Sequence, residues 1–400
     1  MTNRPETSAI LAGARERFAA STDFTIGLEE EFQILDPVTL GLVNRYEDLL
    51  AAAPPALRDR LAGELIASEV EFKTRPHPGL ASAAAELAQG RIDLCTTADR
   101  LGVALGITGV HPFSPWTQQR IIDTPHYRLV EAELGYVAWT NNTWALHLHC
   151  GVRDADRAIQ VAMRMRSVLP DLLALSANSP IFGGRDTRLA STRTQTFIRS
   201  FPRCGIPDAY GDWDAYAAYV AFLERAGAIT ESTQIWWSVR PHHAFGTIEV
   251  RICDGQTELG ETLAIAALII ALIAESLAQI DEGRPFEAHP RSHIEENLWR
   301  AERHGLDAEL IDLATGRPRA ARAAVTELLE CTRAHHGPHG LTPWIDRVAD
   351  MLEHGNGAIR QRALLDALAG DVRAVHEQVV VRTRESAQEI LSQPTTGAPA

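Results

Sequence analysis

The stretch TIGLEEEFQIL, residues 25–35, sets three consecutive glutamates inside a run that otherwise reads as an apolar strand. With side chains alternating at period two, Ile26, Leu28, Phe32 and Ile34 share one face, while Glu29, Glu31 and Gln33 project together from the other. Glu30 falls in the apolar row, where the alternation predicts a bulge or a gap in the packing. The pattern recurs three times. Ile66, Val70 and Phe72 alternate with Glu69, Glu71 and Lys73; Leu146, Leu148, Cys150 and Val152 with His147 and His149; and Ile248, Val250 and Ile252 with Glu249 and Arg251.

One such strand is ordinary half-exposed antiparallel sheet. Four strands that each present carboxylates or imidazoles on one face point instead to a concave site for a hard cation. Crowded carboxylates repel unless protonated or bridged, and oxygen-rich donor sets suit Mg²⁺ or Mn²⁺. His-x-His also occurs in zinc hydrolases, so an amidohydrolase with His147 and His149 on zinc and a glutamate as base stays open. A non-catalytic nucleotide or amino-acid sensor using the same surface is a third class.

Between the third and fourth of these strands, residues 179–203 carry Arg185, Arg188, Arg193, Arg199 and Arg203 against Asp186 alone. Gly183 and Gly184 would let backbone approach a ligand, and guanidinium forks suit carboxylate or phosphate. An arginine-rich surface loop is the plain alternative. Arg240 and Arg251 are stronger candidates, because an unpaired charge beside the acids would be costly. His77, His126, His289, His335, His336 and His339 read as exposed non-ligands, and Trp236 and Trp237 as sheet core.

The composition narrows the field. Among 400 residues, 38 basic and 52 acidic side chains give a formal charge of −14, which argues against nucleic acid or an anionic membrane as partner. Lys73 is the sole lysine and sits in VEFKTR, which excludes a P-loop. Five scattered cysteines without a C-x-x-C pair suit reduced thiols in a cytoplasmic protein. The apolar run from Leu263 reads as a buried helix rather than a membrane span.

To position these residues, the periodicity predicts helices near 80–105, 154–177, 213–226 and 257–280 and over much of 292–384, with an all-helical C-terminal quarter. Strands are expected near 25–35, 65–75, 103–110, 144–152, 233–240 and 247–253, the last two joined by a hairpin at RPHHAFG. The organisation is a flexible N-terminus (1–13), a single catalytic domain (14–388) and a flexible tail (389–400). The fold class is α+β, a mixed or antiparallel sheet with helices outside.

Eight segments in this order resemble the glutamate–cysteine ligase type 2 family of stand-alone carboxylate–amine ligases: GLEEEF (27–32), EVEFKT (69–74), GVHPF (109–113), HLHCGV (147–152), LPDLLALSANSP (169–180), IWWSVRP (235–241), GTIEVRICD (246–254) and ENLWRAERHGLDA (296–308). The resemblance implies a glutamine-synthetase-like catalytic fold, a curved, mostly antiparallel sheet with outer helices. It also implies ATP-dependent amide formation through an acyl phosphate, with weak glutamate–cysteine ligase activity. The substrates would be small molecules, an amino-acid carboxylate such as glutamate and an amine such as cysteine, with ATP and Mg²⁺ or Mn²⁺. Carried over by position, Glu29, Glu31, Glu71, His147 and Glu249 are expected metal ligands and Arg251 the phosphate-contacting arginine. Arg193 and Arg240 are expected to hold substrate carboxylate or phosphate. Two positions depart from the family pattern: Arg188 stands where glycine is usual, and Cys150 replaces an aliphatic residue. A homodimer is the default assembly.

Overall fold

The computed structural model describes residues 8–392. Its centre is a seven-stranded antiparallel sheet of β1 (Ile26–Leu35), β2 (Leu61–Ala62), β3 (Glu69–Lys73), β4 (Ala104–Gly106), β5 (Leu146–Gly151), β6 (Val239–His242) and β7 (Thr247–Val250). The order is β6-β7-β5-β1-β3-β2, with β4 paired to the far end of β1. β6 and β7 form the expected hairpin, closed by Gly246 at φ +66°. Pro241 lies in β6, an edge strand, where a missing N–H costs no ladder bond.

The apolar rows fall on one side of this sheet. Leu28, Phe32, Ile34, Val70, Leu148 and Ile248 are fully buried there. The helices Leu80–Leu101, Ala155–Met165 and Leu259–Asp281 pack onto that face, and Val372–Ser392 covers β4. Leu259–Asp281 is apolar around most of its circumference, as a helix surrounded by protein must be. It is long and apolar enough to cross a membrane, yet 78% of its most apolar window is buried.

Gly90 explains how the Leu80–Leu101 helix sits so close to the sheet, since a Cβ there would lie 2.1 Å from the Phe72 ring. The neighbouring Arg91 resolves Glu30. No bulge or gap occurs: Glu30 pairs regularly between Phe72 and Leu146, and its buried carboxylate meets the Arg91 guanidinium.

Several expected boundaries shift. The 154–177 helix is broken into Ala155–Met165, a 3-10 turn over Arg166–Val168 and Leu169–Ser176, with Pro170 in the first turn of the second helix, where its missing N–H is harmless. Trp236–Trp237 leaves the main sheet to pair in parallel with Cys204–Gly205. The C-terminal quarter is not all helical: Glu309–Ile311 pairs with Pro318–Ala320 in a hairpin. Its loop is built by the Asp312 carboxylate accepting from the N–H groups of Ala314 and Thr315, a local turn signal that helical periodicity overrides. Residues 389–392 form the last turn of the final helix; 1–7 and 393–400 lie outside the described residues.

Candidate active site

The face opposite the helices lines a cleft of about 530 Å³. The register dictates what meets there. Glu29 lies opposite His147 on one side and Lys73 on the other, Glu31 opposite Glu71, and Glu249 between His149 and Arg240. Side chains directly opposite on one face stand within contact range, so antiparallel pairing alone converts the sequence alternation into a cluster.

Among the described residues the cluster resolves into three groups in which one donor atom of each member lies within 4.8 Å of the others: Glu29–His149–Glu249, Glu29–Glu71–His147 and Glu31–Glu64–Glu71. His147 Nδ1 is 3.3 Å from Glu29 Oε2, and its Nε2, buried and without a hydrogen-bond partner among the described residues, is 3.8 Å from Glu31 Oε1. His149 Nε2 lies 3.6 Å from Glu29 and 3.9 Å from Glu249, while its Nδ1 is fixed by Thr247 at 2.9 Å. Buried carboxylates around an unpartnered imidazole nitrogen fit a hard divalent cation such as Mg²⁺ or Mn²⁺.

Without such a cation, the acids divide by neighbour. Burial pushes Glu29 up, but His149, His147 and Lys73 outweigh it and hold the carboxyl well below the usual range. Glu249 is likewise held low, against burial, by Arg240 and Arg251. Glu71 and Glu69 are driven well above the usual range by burial and by the surrounding carboxylates, and Glu31 and Glu64 are raised for the same reasons. Burial together with Arg251 pulls His147 down to about 4. The face therefore carries more acid than its own cations neutralise.

The three predicted arginines all reach the cleft, with different freedom. Arg240 is committed: Nε donates to Glu249 at 2.5 Å and Nη1 to the carbonyls of Ile235 and Thr233 at 2.7 and 3.1 Å. Arg251 pairs with the other Glu249 oxygen, but its buried Nε has no partner among the described residues. Arg193 donates to the carbonyls of Ile252 and Arg251 at 3.2 and 3.1 Å and also leaves Nε without a partner among the described residues.

The other arginines of the 179–203 segment do not enter the cleft. Arg199 pairs with Glu295 and Glu302, Arg203 donates to the Gln234 carbonyl, and Arg185 and Arg188 are exposed. Arg188 adopts φ +64°, the left-handed region that glycine occupies without strain. Cys150 lies in the apolar row between Ile26 and Ile248, fully buried, and so faces away from the cleft. Trp237 is core, stacked on Tyr210 and Tyr219; Trp236, expected to be core, lines the cleft under the Arg203 guanidinium.

Two members of the donor groups were outside the expected ligand set. His149 had a signal, the same alternation that places His147. Glu64 had none, because it precedes β3 in a segment without periodicity and reaches the cluster only through the tertiary path.

Comparison with known proteins points to one family. Residues 25–385 match the model of glutamate–cysteine ligase family 2. Two proteins of Rubrobacter xylanophilus, provisionally named glutamate–cysteine ligase 2-3 and 2-2, are 39% identical over 368 residues (92% of this chain, 99% of theirs) and 37% identical over 360 residues (90% and 91%). A crystal structure of glutamate–cysteine ligase from Francisella tularensis in complex with AMP superposes with a TM-score of 0.64 at 13% identity, covering 93% of this chain and 94% of that one. At that identity the likeness speaks for the α+β fold, and the family model and relatives speak for descent: the chain belongs to glutamate–cysteine ligase family 2.

Proposed function

We propose that this chain activates the carboxylate of an amino acid, glutamate in the first instance, as an acyl phosphate formed from ATP, and that an amine such as cysteine then displaces phosphate to give an amide. The coarse class, an ATP-dependent carboxylate–amine ligase, follows from family membership. The observation that carries the finer reading is the pairing, in one cleft, of carboxylate–imidazole cation groups with two buried arginine Nε–H donors that have no acceptor among the described residues.

Glu29, Glu31, Glu71, His147 and Glu249, joined by His149 and Glu64, would hold Mg²⁺ or Mn²⁺. Bound there, the cation would offset polyphosphate charge. Arg251 and Arg193 would direct their free Nε–H groups at phosphoryl or carboxylate oxygens. Arg240, with most of its N–H donors already used, positions Glu249. The carboxylate oxygen attacks the γ-phosphorus as the bond to ADP breaks; the amine nitrogen then attacks the acyl carbon, phosphate leaves, and the nitrogen loses a proton. No protein nucleophile is required.

The zinc amidohydrolase reading needs His147 and His149 on one ion, whereas they fall in different donor groups. A homodimer is the default assembly. Five unpaired cysteines support a reducing, cytoplasmic setting.

The test is phosphate release from Mg-ATP with glutamate and a panel of amines, products identified by mass spectrometry. An amide that requires both ATP and Mg²⁺ is expected. Thermal stabilisation by ATP without turnover of any amine would favour the sensor, and amide hydrolysis with added zinc and no ATP use would favour the amidohydrolase.

A further inference from the structure

Lys73, the chain's sole lysine, lies at the heart of the cleft. The alternation of β3 turns it onto the acid face, opposite Glu29 in the register. Its Nζ is 2.6 Å from Glu71 Oε2 and 3.5 Å from Glu29 Oε1. Those two carboxylates, with His147, make one of the three candidate cation groups.

The ammonium takes Glu71 Oε2 and Glu29 Oε1, while His147 Nδ1 faces the other oxygen of each carboxylate, Glu71 Oε1 at 4.0 Å and Glu29 Oε2 at 3.3 Å. A divalent ion gathered by His147 would therefore share both carboxylates with the ammonium, and the two like charges would repel across them. Arg240 and Arg193 are tethered by backbone carbonyls. Lys73 is not: its side chain is 41% exposed, and a lysine is a point charge on a flexible stem with freely rotating donors. Displaced from Glu71, the ammonium remains inside the cleft, beside the groups that would gather the phosphates.

We infer that Lys73 is a resident counter-ion of the Glu29–Glu71–His147 group, and that cation entry moves its ammonium onto the transferring phosphoryl group, making it a catalytic residue of the ligase. The inference rests on the cation-dependent reading proposed above. The ammonium donates hydrogen bonds to phosphoryl oxygen and forms no covalent bond, so it offsets charge where charge accumulates during transfer.

The experiment is a Mn²⁺ titration of the full chain without nucleotide, followed by electron paramagnetic resonance, on wild type, Lys73→Met and Lys73→Arg. Methionine keeps an unbranched stem of similar length and removes the charge; arginine keeps the charge. Lys73→Met is expected to bind Mn²⁺ several-fold more tightly than wild type, while kcat for ATP-dependent phosphate release falls about a hundredfold. Lys73→Arg should keep wild-type Mn²⁺ affinity and recover part of kcat. Unchanged or weaker Mn²⁺ binding by Lys73→Met, with wild type binding normally, would overturn the counter-ion role alone. Tighter binding with undiminished kcat would overturn the phosphoryl contact. No Mn²⁺ binding by wild type would overturn the cation reading itself and this inference with it.

Discussion

Glu30 and Arg91 form a two-point ion pair on the apolar side of the sheet, with Arg91 Nε 2.7 Å from one carboxylate oxygen and Nη2 2.5 Å from the other. Both side chains are fully buried, and the remaining guanidinium donors reach the carbonyls of Thr257 and Gln256 at 2.9 Å. The pair therefore ties β1 and the Leu80–Leu101 helix to the segment that starts the Leu259–Asp281 helix. Removing one partner leaves an uncompensated buried charge. Glu30→Leu or Arg91→Met should each cost about 3–5 kcal/mol in urea unfolding, and the double variant less than either single one. Equal, additive losses would mean that the two charges do not act as a pair.

Glu29→Gln and Glu249→Gln should both abolish turnover, lowering kcat by about a hundredfold or more, because each removes charge from a cation group. Their stabilities should differ. Glu249 is the shared counter-charge of Arg240 and Arg251, so its replacement leaves two buried guanidinium groups facing each other. Glu249→Gln should lower Tm by several degrees, and Glu29→Gln by much less. Calorimetry beside steady-state kinetics measures both effects.

His111 gives a signed pH dependence. Its Nε2 donates to the Leu40 carbonyl at 2.9 Å and its Nδ1 accepts from the N–H of Ser114 at 2.9 Å, so the ring is held neutral. Burial accordingly pulls it down to about 4 from an ordinary 6.5. A base depressed on folding contributes stability that is complete above the unfolded value and is lost as pH falls through the folded one. The loss should run from about pH 6.5 towards 4. The raised acids Glu69 and Glu71 act in the opposite sense, so the His111 contribution is read as a difference: His111→Gln should be less stable than wild type at pH 7.5, and the gap should narrow at pH 4.5.

Arg188 holds φ +64° on the surface, while its backbone N–H donates to Asp186 and its carbonyl accepts from Arg303. Arg188→Gly keeps both backbone bonds and removes the left-handed strain. It should stabilise the chain by about 0.5–1 kcal/mol in chemical denaturation, with kcat unchanged.

What could be read from the sequence was what depends on period two. Glu29, Glu31, Glu71, His147 and Glu249 were placed on one face because a strand has only two, and antiparallel register then brought the strands' faces together. Partners arriving from distant elements could not be read that way. Glu30 looked like a defect because Arg91 comes from a helix whose orientation local pattern does not specify. By composition Arg193 and Arg199 look alike in one arginine-rich segment, and only the family resemblance sets Arg193 apart; the tertiary path turns it into the cleft and Arg199 onto Glu295 and Glu302.

The same alternation has a consequence for assembly of the sheet. A slip of β7 by one residue against β5 would turn Glu249 inward, towards the Ala155–Met165 helix, and expose Ile248 and Val250. Burying that charge unpaired would cost several kcal/mol, so the site chemistry also acts as a key that admits one strand alignment. Neutralising the key with aliphatic residues would make β7 apolar on both faces and leave its alignment degenerate, exchanging a catalytic defect for a misassembly hazard.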